Sequence, residues 1–81
     1  MEQIRLDRIE INPKIMVGKP VIKGTRIPVE LILKMLSQGI ATEEILGEYP
    51  QLTKEDIQAA LAYGVKALEV EEVYALERVG K

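Results

Sequence analysis

Lys19, Lys23 and Arg26 fall four and three residues apart in the stretch V-G-K-P-V-I-K-G-T-R-I-P-V, residues 17–29. Three cations at that spacing, in a segment stiffened by two prolines, suit contact with nucleic-acid phosphates, because Lys and Arg that neutralise backbone charge supply most of such affinity. The plain alternative is solvated surface charge, with Arg26 bonding nearby carbonyls and Thr25 bonding backbone groups of a turn. A second set, Gln51, Thr53, Lys54 and Gln58, carries side chains of the kinds that touch base edges and phosphates. Glu55 and Asp56 stand among them at exposed-looking positions. Carboxylates repel phosphates, so these two acids read better as helix-capping residues.

Covalent chemistry has few candidates. The chain contains no Cys and no His, which removes the commonest nucleophile and base pairs and the usual nitrogen and sulfur metal sites. Ser37 is the only serine and has no evident base. Glu43-Glu44, Glu55-Asp56 and Glu71-Glu72 are adjacent acids, which diverge around a helix and do not converge on one ion. A carboxylate site for magnesium is the residual alternative. The expectation is a protein with no catalytic residues, no metal ligands, no cofactor and no small-molecule substrate.

The elements that must position these groups are bounded by size. Eighty-one residues make one domain with a small core. The chain is 47% hydrophobic but has no Trp, no Phe and three Tyr, so that core is aliphatic. Without disulfides or metal, a domain this small gains stability by pairing with itself or with a larger partner, and a homodimer is expected. The opening M-E-Q-I-R-L-D-R mixes charge with apolar residues, and no apolar run nears membrane-spanning length. A cytoplasmic protein without membrane contact is the expectation. Residues 1–34 hold seven Lys or Arg against four acids, and residues 35–81 hold four against nine. Two surfaces of opposite sign are implied.

Ile4, Leu6, Ile9 and Ile11 alternate with polar residues as in short half-buried strands, and Asn12-Pro13 signals a turn. A returning strand fits either residues 14–17 or residues 21–23. Val21, Ile22 and Ile27 are expected to pin this segment to the core. Pro28 suits the first position of a helix over residues 28–38, with Gly39 as a left-handed cap. Thr42 is the expected cap of a second helix, which Tyr49-Pro50 ends. Thr53-Lys54-Glu55-Asp56 has capping-box spacing and opens a third helix. Its apolar face is expected to run through Ile57, Ala60, Leu61, Val65 and Leu68, with Gly64 marking close packing or a bend. Beyond Leu68, Val70, Val73 and Leu76 leave that phase.

A three-turn helix, a two-turn helix and a corner with Leu52 as core plug, leading to a longer helix, form the layout of a helix-turn-helix domain. A helical bundle that never meets nucleic acid fits the same pattern. The fold class is mainly α: a three-helix, homeodomain-like bundle with a short N-terminal β-type arm (residues 1–27). The domain covers residues 1–65 and a helical tail covers residues 66–81.

G-K-P-V-I-K-G-T-R-I-P-V, followed by G-I-A-T-E-E-I-L-G-E-Y-P-Q-L-T-K-E-D-I-Q-A-A-L-A-Y, resembles the small prokaryotic family called domain of unknown function 433, over about residues 9–63. The resemblance implies a homeodomain-like helix-turn-helix fold and an antitoxin role of the VapB type, with DNA and a PIN-like ribonuclease as partners. The tail lies outside the motif. Its stripe of Val70, Val73, Tyr74 and Leu76 needs some covering surface, and a cation such as Arg78 or Lys81 could enter a carboxylate-lined nuclease site. Packing back on the same domain, or pairing in a homodimer, is the alternative.

Overall fold

A computed structural model describes the backbone of residues 6–79 and the side chains of residues 7–69. Two short strands, β1 (Ile9–Glu10) and β2 (Val21–Ile22), are followed by helices α1 (Val29–Ser37), α2 (Thr42–Glu48) and α3 (Lys54–Val79). The fold is thus a three-helix bundle preceded by a β-hairpin. The strands are antiparallel, with Ile9 opposite Ile22 and Glu10 opposite Val21. The return strand therefore lies at 21–22, and residues 14–17 take no part in it. An Asn12 side-chain bond to the Lys14 N–H, at 2.9 Å, starts a turn there instead. Met16, Val17 and Gly18 follow with φ of +51°, +56° and +80°. Val17 is 93% exposed, so the left-handed backbone of a β-branched residue is held without help from packing.

After β2 the chain reverses through a type II turn. Thr25 N–H donates to Ile22 O at 2.9 Å, and Gly24 takes the φ of +81° that this turn requires at its third residue. The Thr25 hydroxyl donates to Ile22 O at 2.8 Å and accepts the Ile27 N–H at 2.9 Å, which braces both sides of the turn. Val29 N–H then reaches Pro20 O at 2.9 Å, and Val21 bridges Pro28. That bridge holds Pro28 extended (ψ 145°), so Pro28 is the cap of α1 and Val29 its first helical residue. The sequence places the proline one position too far in.

The far end of α1 closes as a Schellman motif. Gly39 at φ +86° donates to Leu36 O at 3.0 Å, and Ile40 donates to Met35 O at 3.1 Å. This exit leaves Ala41, not Thr42, at the cap of α2. Ala41 has no side-chain oxygen, and Glu44 compensates by accepting the Ala41 N–H at 3.3 Å. Thr53 caps α3 as its spacing implies. Its hydroxyl accepts the Asp56 N–H at 3.2 Å while Asp56 accepts the Thr53 N–H at 2.9 Å.

Ile22, Ile27, Val29, Ile32, Ile45, Leu52, Ile57 and Ala60 form one aliphatic core. Both arm and corner are anchored in it, as Ile22, Ile27 and Leu52 show, and Val21 is fully buried beside them. Leu61, Val65 and Leu68 are not: they are 46%, 60% and 56% exposed. The face that α3 turns inward carries Asp56, Ala59, Ala60, Tyr63 and Gly64. Gly64 allows this, because a Cβ there would stand 3.1 Å from Leu33 Cδ1. Small residues decide which face of α3 meets α1, and the bulkier stripe is left outside. Among the described residues, no helix is long and apolar enough to cross a membrane.

Candidate nucleic-acid interface

The arm cations divide into two places. Lys19 lies against α1, where its Nζ is 2.7 Å from Glu30 Oε2 on the surface. The hydrogen bond and charge of Lys19 hold the Glu30 carboxyl below its ordinary value. A phosphate reaching Lys19 competes with that carboxylate. Lys23 and Arg26 flank Gly24 and Thr25 in the turn, and both are exposed.

Arg8 joins this turn to α3, and no local sequence signal marks it. Its carbonyl accepts the Lys23 N–H at 2.7 Å. Its Nη1 donates to Asp56 Oδ1 at 3.0 Å, across 48 positions. Asp56 is buried, 6% exposed, and does not stand among the exposed groups of the first turn. Its Oδ1 pairs with Arg8 and its Oδ2 accepts the Thr53 N–H, so this charge is matched by a cation and turned away from the surface that a phosphate would approach. Arg8 Nε is buried and has no acceptor among the described residues.

Lys54 and Gln58 are exposed one turn apart on α3 and line a groove of about 310 Å³ with Thr42, Glu43, Ile57 and Leu61. Gln51 is exposed in the corner. The Thr53 hydroxyl is occupied by the cap. The fold therefore joins Lys23 and Arg26 to the start of α3 through Arg8, gathers Lys54 and Gln58 on one groove wall, and sets Lys19 apart. Glu43, on the α2 side, opposes phosphate contact at the other wall. The tail positions Val70, Val73, Tyr74, Leu76 and Arg78 have side chains outside the described residues, as does Lys81.

Residues 9–64 match the family described as protein of unknown function (DUF433), and the chain belongs to that family. A crystal structure of a DUF433 member protein from Anabaena variabilis is similar in fold, with a TM-score of 0.69 and 35% identity. That match covers 84% of this chain and 65% of the Anabaena chain. An uncharacterized protein, y4eO, of Sinorhizobium fredii is 36% identical over 52 residues, 64% of this chain and 24% of its own length. An uncharacterized protein of Archaeoglobus fulgidus is 64% identical over 25 residues, 31% of this chain and 69% of its own. The chain thus spans about a quarter of the Sinorhizobium relative's length.

Proposed function

We propose that this DUF433 member is a DNA-binding regulator of the antitoxin type, acting in the cytoplasm by binding and not by catalysis, with a PIN-like ribonuclease as its protein partner. The observation that carries the DNA reading is the coupling of the arm to α3. Through Arg8 and Asp56 the turn bearing Lys23 and Arg26 is fastened to the helix whose first turns expose Lys54 and Gln58. Cations from an arm and polar groups from the third helix of a three-helix bundle are what phosphate positioning and base-edge contact ask for. The ribonuclease partner rests on the family resemblance alone.

Duplex binding is tested by anisotropy with DNA from the protein's own promoter over a salt series. Retention should weaken steeply with salt, and replacing Lys23, Arg26 and Lys54 by Ala should flatten the log–log slope by about 0.9 for each phosphate no longer neutralised. No retention at low salt overturns the reading. Co-expression with the neighbouring gene product tests the ribonuclease partner, and absence of a co-purifying complex removes it.

A protein-interaction module that never meets DNA is the second reading. The outward stripe of Leu61, Val65 and Leu68 favours it, since three large apolar side chains on consecutive turns suit a protein contact better than a phosphate backbone.

A further inference from the structure

Given the DNA-binding reading, on which this rests, we infer that Gln58 and Leu61 of α3 select two neighbouring A·T base pairs in the major groove. Gln58 takes the adenine of one pair, and Leu61 takes the thymine methyl of the other.

Lys54, Gln58 and Leu61 stand at i, i+4 and i+7 on α3, and all three line the groove that Thr42, Glu43 and Ile57 complete. All three are exposed, Leu61 by 46%. Ile57 is buried, and Val65 and Leu68 lie beyond the lining, so Leu61 is the accessible apolar side chain next to the amide. Glu55 is exposed on the first turn of α3 but does not line the groove.

The charges of the groove govern what enters it. Glu43 forms no ion pair among the described residues, and its carboxylate turns a phosphate away from the α2 wall. Lys54 is the cation of the lining, so a phosphate is drawn to that side. The carboxylate, the amide and the leucine are left to base edges. Two acceptors, the Glu43 carboxylate and the Gln58 amide oxygen, suit a base with an exocyclic amino group. Adenine and cytosine both present one in the major groove, but adenine alone sets the N7 acceptor beside it, which matches the paired donor and acceptor of an amide. Leu61 adds the second choice, since the thymine C5-methyl is the apolar group of that groove. Gln58 and Leu61 are about 4.5 Å apart along the helix axis, close to the step of about 3.4 Å between successive base pairs, so they meet adjacent pairs.

Selection of a random duplex library on the full chain at low salt tests this. The enriched site should contain two adjacent A·T pairs, and base analogues in that duplex, read by anisotropy, assign each contact. 7-Deazaadenine, which lacks the N7 acceptor, should weaken binding about tenfold at one of these pairs, and Gln58→Ala should lose that sensitivity. Uracil for thymine at the neighbouring pair should weaken binding about fourfold, the contribution of one buried methyl, and Leu61→Ala should be indifferent to it. Both side chains are exposed, so helical circular dichroism should be unchanged in either variant. Duplexes bound with no enriched sequence overturn the inference and leave the DNA-binding reading standing. So does an enriched site without adjacent A·T pairs, or one at which wild type ignores both analogues. A library that is not retained at all overturns both.

Discussion

Arg8 and Asp56 are bonded at 3.0 Å across 48 residues of sequence, and the same carboxylate closes the capping box of α3. One side chain thus ends a local motif and ties down a distant segment. Removing it leaves an orphaned helix donor and a half-buried guanidinium without its partner.

Asp56→Ala is expected to destabilise the domain by about 2–3 kcal/mol, of which the cap supplies roughly 1. Arg8→Ala should cost less, since the cap survives. A double-mutant cycle by urea unfolding should give a coupling of about 0.5–3 kcal/mol. Strict additivity of the two changes would show that the pair contributes nothing.

Thr25→Val keeps the shape of the side chain but removes one donor to Ile22 O and one acceptor for the Ile27 N–H. The cost should be about 1–2 kcal/mol from the two neutral hydrogen bonds. Faster amide exchange at Ile27 is the local signature. Unaltered exchange there would mean that Thr25 does not brace the turn.

Gly64→Ala sets two effects against each other. Ala gains about 1 kcal/mol of helix propensity over Gly, but its Cβ would stand 3.1 Å from Leu33 Cδ1. The net change should be near zero in the native background. The full gain should appear in a Leu33→Ala background, where the obstructing methyl is gone. Equal effects in both backgrounds, by thermal unfolding, would falsify the account of close packing at this position.

Lys19 lowers the pKa of Glu30, first through its hydrogen bond and then through its charge, while slight desolvation opposes it. A depressed carboxyl stabilises the folded state above the unfolded-state pKa, and the contribution is lost as pH falls through the lowered value. Lys19→Ala should therefore move the Glu30 titration upward, seen in its side-chain carboxyl carbon resonance. An unmoved titration would mean that the surface pair is not formed in solution.

What the sequence makes legible is what neighbouring residues decide between themselves. The Gly39 cap, the Thr53 and Asp56 box and the plug at Leu52 each depend on a few adjacent positions, and each is formed. The inward face of α3 is not of that kind. Two apolar faces compete along the helix, and periodicity favours the larger side chains at Leu61, Val65 and Leu68. Packing against Leu33 selects the smaller ones, because interhelical approach is limited by the bulk between the backbones. Arg8 is hidden for a related reason, since its partner lies far along the chain. Ala41 is hidden because the exit of α1, and not its own side chain, puts it at a helix start.

The double attachment of Arg8, by its carbonyl to Lys23 and by its guanidinium to Asp56, has a thermodynamic corollary for binding. The backbones that carry Lys23 and Lys54 are set in their mutual position when the chain folds. A ligand that spans them has no loop to order on arrival, and only side-chain rotamers remain to be fixed. Severing Arg8 from Asp56 should then weaken such binding through conformational entropy, even though neither residue touches the ligand.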